Sequence, residues 1–275
     1  MAQIMSLAAA LFMAAPIIAP FVGTTILAVA PWRWIFVVLA ILGVAGFLWV
    51  FARLPETLHP EYRRPISLLS IMDAVRIVAA DRQSVGYTIG NLCLMVAIQG
   101  FLTTVTLIFT DTFERPDLLP YGFGIMAGSM MVASLINARI VMRFGMRLIG
   151  HAALIGFTVL AAIHAAIALA GLETLVGYIV LQSAMMACFS LCAGNFGAMA
   201  MEHMGPVAGT ASSLQGFFAA VFGALGGALI AANFDGTTFP LYAGITIAGS
   251  VAILAALWAE RGRLFVARHV AQREV

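Results

Sequence analysis

The sequence has no lysine, and charged residues of any kind are scarce. Of its 275 residues, 63% are hydrophobic and only 9% are charged. A soluble domain of this size carries about 25% charged residues. This shortage of charged residues excludes a soluble globular protein. The long apolar runs predict a polytopic membrane protein of the all-α class.

Cysteines are also few, and they carry no metal-binding pattern. Cys93, Cys188 and Cys192 lie inside apolar runs, and no CxxC spacing occurs. They are typical of small buried hydrophobic side chains rather than of a disulfide framework or a metal site. The 14 basic residues are all arginines that lie in or beside the breaks between apolar runs. We therefore expect no cofactor, no metal and no nucleic-acid partner.

Eight segments are long and apolar enough to span a bilayer, whose core of about 30 Å needs roughly 20 helical residues. They are residues 4–28, 33–54, 85–109, 120–144, 148–170, 174–200, 207–232 and 238–259. The long connection 55–83 spaces apolar residues among charged ones, which predicts an interfacial amphipathic helix. The expected domains are thus residues 1–54, this linker, a six-helix bundle over 84–260 and a basic tail, 261–275.

The arginines predict the orientation of the chain. Those of the linker 55–83, of the junction near Arg147 and of the tail 261–275 lie on one side of an eight-helix zigzag. The other side has Arg33 and Arg115. Because cytoplasmic loops are enriched in basic residues, the arginine-rich side is expected to be cytoplasmic. Both termini are then expected to lie inside.

Two prolines interrupt the first apolar segment. Pro16 and Pro20 stand one helical turn apart in "APIIAPFVGTT", and Gly23 follows three residues later. Proline removes a backbone donor and clashes with the preceding turn of a helix. Spanning helices tolerate this where neighbouring helices satisfy the freed groups, and small residues allow such neighbours to approach. The pattern predicts a bent helix packed closely against a partner.

Four motifs, in order, resemble one family of transporters. They are "APIIAPFVG", "WRWIFVVLAILG" followed by "LPETL", "INARIVMRFGMRLIG" and "GNFGAMAMEHMGPVAGTASSLQGFF". Together they resemble the drug:proton antiporters of the major facilitator superfamily, in particular the bicyclomycin/chloramphenicol-resistance (Bcr/CflA) subfamily. On this resemblance, Pro16, Pro20 and Gly23 fall on the antiporter motif.

The resemblance implies both a fold and a function. Family members have twelve helices, and the eight segments match helices five to twelve. The chain would then hold two helices of the N-terminal bundle and the complete six-helix C-terminal bundle. The implied activity is proton-coupled efflux of small drug-like or metabolite compounds by alternating access. The implied partners are a small-molecule substrate, protons, the lipid bilayer and a missing N-terminal four-helix segment.

Polar residues inside apolar segments are candidates for a substrate cavity, because they are costly in a membrane and are retained for function or hydrogen bonding. Asn91 and Gln99 lie eight residues apart on one face of their segment, close to Thr103. Gln182 and Asn195 share a later segment. Two interpretations are open for these residues: lining of a central cavity, or hydrogen bonding between helices.

A second group of candidates lies near the arginine-rich side. It consists of Asn137, Arg139, Arg143 and Arg147. Two roles are open for it, an anchor for the helix end or, as the resemblance suggests, a gating ion-pair cluster.

Three further polar residues are expected to be structural. Glu202 and His203 are expected to form a solvated turn. His164 has the chemistry of a proton carrier, but a lone histidine in a helix is expected to bond to a neighbouring carbonyl group.

Three functions compete at this point. The first is the antiporter. The second is a truncated or mis-started fragment that does not transport, because alternating access needs both bundles. The third is an intramembrane enzyme, which needs a nucleophile beside a base. Ser190, Ser212 and His164 lie on different segments without a recognisable motif, so an enzyme is not expected.

Overall fold

The computed structural model describes residues 22–55 and 68–265, and these are helical apart from short connections. Residues 22–29 are helical. The remaining helices are α1 (Arg33–Arg53), α2 (Leu68–Ala80), α3 (Arg82–Leu107), α4 (Leu119–Phe144), α5 (Met146–Leu169), α6 (Leu175–Met201), α7 (Ala208–Ala232) and α8 (Phe239–Ala259). A π-helical turn, Ile108–Thr112, extends α3, and short 3-10 turns precede α4 and α7.

Seven of the described helices, α1 and α3 to α8, are long and apolar enough to cross a membrane. They confirm the last seven predicted segments, and their ends differ from the predicted ones by about three residues or fewer. Most of the first predicted segment, with Pro16 and Pro20, lies outside the described residues. Gly23 is described, and a Cβ atom placed on it would meet nothing within 4 Å.

The chain forms two compact units, Met1–Ser70 and Ile71–Val275. In the first unit, α1 has no buried residue over its 21 positions. Large apolar side chains such as Trp49 and Phe51 are exposed along it. A helix that is apolar on all sides is suited to lipid or to further helices rather than to water.

In the second unit, six spanning helices form two layers. Four helices lie side by side in the order α7, α3, α6 and α4, and α8 and α5 pack behind α3 and α6. The core lies where α3, α5, α6 and α8 meet, around side chains such as Tyr87, Leu154 and Phe196. The helices alternate in direction. We call the end that holds Arg147 the Arg147 end, and the opposite end the Glu173 end.

Glycines allow α3 to approach its neighbours closely. A Cβ atom on Gly86 would lie 2.6 Å from the Cβ of Ala259 and 2.9 Å from the carbonyl oxygen of Ala255. On Gly227 it would lie 2.8 Å from the Cβ of Gln99. Such distances leave no room for a side chain. Small residues thus provide the close contacts that hold spanning helices together.

The linker helix α2 packs on the Arg147 end of the second unit. Its Ala74 and Val78 are buried against Met204, Val207 and Ala211. Its charged Asp73 and Arg76 are exposed and lie 3.6 Å apart. The helix therefore buries one apolar side against the α6–α7 connection.

Candidate functional site

A buried group of charges occupies the Arg147 end of the second unit. Arg147 donates from Nε to Oε1 of Glu260 at 2.7 Å, and from Nη2 to Oε2 of Glu202 at 2.9 Å. The exposed fractions of the three side chains are 7% for Arg147, 3% for Glu260 and 21% for Glu202. Buried charges of this kind persist only when they are paired and hydrogen-bonded.

The α4–α5 junction explains why Arg147 enters this group. Gly145 has a φ of +79°, a backbone conformation that glycine adopts without strain. The chain reverses there, so Arg147 falls in the first turn of α5 and faces the core. Arg139 and Arg143 lie on α4 before the turn and are exposed. The structure thus separates the predicted arginine group, and Arg147 alone of its three arginines reaches the two carboxylates.

A directed chain of hydrogen bonds leads into the same group. The backbone N–H of Phe265 donates to Nδ1 of His151 at 3.2 Å. The proton of the neutral ring is therefore on Nε2, which donates to the Tyr87 hydroxyl oxygen at 2.9 Å. The Tyr87 hydroxyl in turn donates to Oε1 of Glu260 at 2.7 Å. Each group has one partner for its donor, and the chain ends on the carboxylate.

These contacts tie together the ends of four helices. Gln83 and Tyr87 come from α3 and Arg147 from α5, while Glu202 and Glu260 follow the last residues of α6 and α8. Nη2 of Arg147 also donates to the Gln83 side-chain oxygen at 3.0 Å. These contacts link the ends of the four helices to one another. We call this group of residues the Arg147 cluster.

Glu202 and His203 lie in a turn and are exposed, as expected, and their side chains also have partners that are distant in the chain. Glu202 is bound to Arg147 and Gln83. Nδ1 of His203 lies 2.9 Å from Oδ2 of Asp81, the residue that caps α3. The sequence shows only two polar residues in a short connection. Their partners could not be predicted because they lie far away in the chain.

Two of the five cavity candidates are hydrogen-bonded to side chains of other helices. Asn195 on α6 is buried, and its Nδ2 donates to Oδ1 of Asn137 on α4 at 3.0 Å. Gln182 is also buried, and its Oε1 accepts the Tyr242 hydroxyl proton at 2.8 Å. Asn137 was predicted to belong with the arginines near the helix end. In the structure it is paired with the cavity candidate Asn195.

The other three candidates lie on α3 and are open to different degrees. Asn91 and Gln99 are partly exposed, and Thr103 is exposed. Gln99 lies against Gly227 of α7. The Thr103 hydroxyl donates to the carbonyl oxygen of Gln99 at 2.8 Å. The five candidates thus do not form one cluster, and Asn91 and Gln99 are the amides left partly open.

The expectation that a carbonyl group satisfies His164 is not met at Nε2 of its ring. Its Nε2 is buried and has no hydrogen-bond partner among the described residues. Its ring stacks on Tyr242 with centroids 3.9 Å apart. It lines a pocket of about 130 Å³ at the Glu173 end, together with Glu173 and Tyr178. Within the described ranges, no three His, Cys, Asp or Glu residues are placed to hold a metal ion.

Sequence reasoning missed four members of the Arg147 cluster: Gln83, Tyr87, His151 and Glu260. One signal was available for Glu260, an acidic residue directly after the last apolar segment in "ALWAERGR". The other three stand within the first turns of their helices, where polar residues attract no special interest. Their role depends on the rotation of each helix about its axis.

Comparison with known proteins identifies the family. The family model for the Major Facilitator Superfamily matches residues 1–227. The chain is 25% identical to a bicyclomycin resistance protein homolog of Haemophilus influenzae over 257 residues, which cover 88% of this chain and 61% of that protein. It is 26% identical over 254 residues to the uncharacterized MFS-type transporter YdgK of Bacillus subtilis, covering 88% and 60%.

The chain therefore spans about 60% of the length of the curated relatives it matches. The ordered motifs, the spanning helices and the family match agree with one another. This chain belongs to the Major Facilitator Superfamily of membrane transporters.

Proposed function

We propose that this chain works in the proton-coupled efflux of small drug-like or metabolite compounds by alternating access. The setting is the inner membrane, with the Arg147 end and both termini on the cytoplasmic side. The name of the Haemophilus relative, a bicyclomycin resistance protein homolog, supports an export role. The arginine-rich loops support the orientation, because basic residues are enriched on the cytoplasmic side.

The observation that carries the proposal is the Arg147 cluster. Alternating access is largely rigid-body rocking of one helical bundle against another around a site near the midplane. A bundle can rock as one body only if its helix ends keep their arrangement. The cluster provides this by binding the ends of α3, α5, α6 and α8 through contacts of 2.7 to 3.0 Å.

The substrate cavity is proposed to lie along α3. Asn91 and Gln99 are the partly exposed amides of that helix. Amide side chains in an otherwise apolar surface give direction to a bound molecule without the cost of a buried charge. Asn195 and Gln182 are bound to other helices, so we assign them to holding the bundle.

The test is flux in everted membrane vesicles that carry the chain. A proton gradient is imposed, and two fluorescent probes are compared, the uncharged N-phenyl-1-naphthylamine and the cation ethidium. We expect gradient-dependent movement of at least one probe above the level of vesicles without the chain. A protonophore should abolish it.

Two outcomes would contradict the proposal. Movement that is unchanged by the protonophore would refute proton coupling. If a folded chain moves neither probe above the background, the alternative of a non-transporting fragment is favoured. The Gln99→Leu variant, compared with the Leu102→Ala variant on the exposed part of the same helix, tests the assignment of the cavity.

A further inference from the structure

The side chain of Arg82 lies against the end of α8, at the Arg147 end of the second unit. Its Nε donates to the backbone carbonyl oxygen of Trp258 at 2.5 Å. Its guanidinium carbon lies 4.8 Å from the centre of the Trp258 ring, which is the distance of a cation–π contact. The two contacts fix the position of a guanidinium that is exposed at the surface of the protein.

A second arginine reaches the same place at the turn that follows α8. The backbone N–H of Arg261 donates to the same carbonyl oxygen of Trp258, at 3.2 Å. The Arg82 guanidinium and the Arg261 backbone therefore share one acceptor atom. Arg261 is exposed, and its φ of +54° is uncommon for a residue that has a side chain. Two exposed arginines from different helices thus meet beside one tryptophan.

No acidic side chain of the described residues neutralises these two arginines. The acid that precedes Arg82 is Asp81, which caps α3, and the acid that precedes Arg261 is Glu260, which belongs to the Arg147 cluster. The ion pairs in the described part of the chain include neither arginine. Nη1 and Nη2 of Arg82 likewise have no hydrogen-bond partner there. This edge of the guanidinium is open to an anion.

An exposed apolar stripe runs along α8 away from the arginines. It consists of Ile247, Val251, Leu254 and Trp258, all of them exposed. Their spacing of three or four residues places them on one face of the helix. At 1.5 Å per residue the stripe is about 16 Å long. This length is close to the roughly 15 Å that one leaflet contributes to the hydrocarbon core of a bilayer.

We propose that Arg82, Arg261 and Trp258 bind the phosphate group of an anionic phospholipid in the leaflet at the Arg147 end. A guanidinium binds phosphate through two parallel N–H···O bonds, and the open edge of Arg82 supplies them. Tryptophan is favoured at the level of lipid headgroups, and an acyl chain lies along the stripe below it. This lipid site is independent of the transported compound and of the direction of transport.

Lipid binding is measured on the full chain in dodecyl maltoside micelles by native mass spectrometry, which counts the bound lipids. Phosphatidylglycerol is compared with phosphatidylcholine that carries the same acyl chains, so that only the headgroup differs. We expect the first phosphatidylglycerol to bind at least about tenfold more tightly, because each arginine near an anionic lipid surface contributes about fivefold.

Three variants test the arginines. Arg82→Gln and Arg261→Gln should each reduce the preference for phosphatidylglycerol about fivefold. Arg139→Gln is the matched control, because Arg139 is an exposed arginine at the same end, on α4, and it should leave the preference unchanged. Circular dichroism checks folding. The Arg261 side chain forms no hydrogen bond or ion pair with the described residues, so Arg261→Gln tests the site even if Arg82→Gln does not fold.

A second pair of variants distinguishes a phospholipid from free phosphate. Leu254→Asn places an amide in the apolar stripe and should weaken the binding of phosphatidylglycerol several-fold. Leu229→Asn changes a leucine of α7 that is 67% exposed, against 65% for Leu254, and should have no effect. Inorganic phosphate in large excess should not displace the lipid, because it makes no contact with the stripe.

Three results would overturn the proposed lipid site. Equal affinity for the two lipids would show that the arginines do not recognise an anionic headgroup. An equal loss in the Arg139→Gln variant would show a general attraction of charges rather than a site. Displacement by inorganic phosphate, or binding that Leu254→Asn leaves intact, would show a phosphate site without a lipid.

Discussion

Removal of Arg147 is the sharpest test of the Arg147 cluster. The Arg147→Met variant leaves Glu260 and Glu202 without the guanidinium that binds both of them. Glu260 is 3% exposed, so water cannot replace the lost partner. Breaking a buried ion pair from one side costs about 3–5 kcal/mol. We expect the free energy of unfolding to fall by about this amount at neutral pH.

The pH dependence of this loss follows from the charge that remains. In the variant, Glu260 keeps the bond from the Tyr87 hydroxyl but loses the Arg147 guanidinium, so protonation of this buried carboxylate relieves part of the cost. Carboxylates bind protons near and below about pH 4–5 in the unfolded chain. The difference in free energy of unfolding between the parent and the variant should therefore be largest at pH 7–8. It should shrink as the pH is lowered toward 5.

The matched control replaces the whole charged group. Exchange of a buried ion triad for apolar residues of similar volume is often neutral or stabilising by about 1–4 kcal/mol. The triple variant Arg147→Met, Glu202→Leu and Glu260→Leu should thus regain part of the stability that the single variant loses, because the buried Tyr87 hydroxyl then loses its acceptor at a cost of about 1–3 kcal/mol. Arg115→Ala, which breaks the exposed pair with Asp117, should cause no measurable change.

Unfolding in mixed micelles by increasing sodium dodecyl sulfate provides the assay, followed by far-ultraviolet circular dichroism and tryptophan fluorescence. Trp258 reports on the same end, because Arg82 stacks over its ring at 4.8 Å. A single variant within about 1 kcal/mol of the parent would refute the reasoning, since a truly buried pair costs more to break.

Two further predictions concern helix packing. Gly86→Ala should destabilise the chain by about 1–3 kcal/mol, because its Cβ would meet the backbone oxygen of Ala255 at 2.9 Å. Gly216→Ala, where nothing lies within 4 Å, is the control for the same unfolding assay. Asn195→Ala should cost about 0.6–2 kcal/mol, the range for a hydrogen bond between spanning helices. A double-mutant cycle with Asn137→Ala measures that interaction, and additive effects would contradict it.

The sequence by itself determined the elements and the class of the protein. In a bilayer every backbone N–H and C=O must be bonded within the segment, so an apolar run of sufficient length becomes a helix whatever its neighbours are. This is why the predicted segments agree with α1 and α3 to α8 to within about three residues. Four short motifs in order were also enough to indicate the family that the comparisons confirm.

The Arg147 cluster could not be derived in the same way. Which side chains meet in it depends on how each helix is rotated about its own axis. The glycine at position 145 separates Arg147 from Arg139 and Arg143, but the sequence around it does not show which partners Arg147 meets. The turn at Gly145 and the packing of α5 against α6 and α8 bring Arg147 to two carboxylates, which lie 55 and 113 residues further along the chain. The exposure of Asn91 and the pairing of Asn195 likewise depend on which side of each helix meets a neighbour.

One physical cause explains why the helices could be predicted from the sequence and the side-chain contacts could not. Formation of a helix in lipid depends on backbone hydrogen bonds between residues four apart, which a short stretch of sequence specifies. The meeting of side chains depends on the packing of several helices at once, where small residues such as Gly86 and Gly227 set the distances. The chain's composition decided that it spans a membrane, and its tertiary packing decided which of its few charges are buried together.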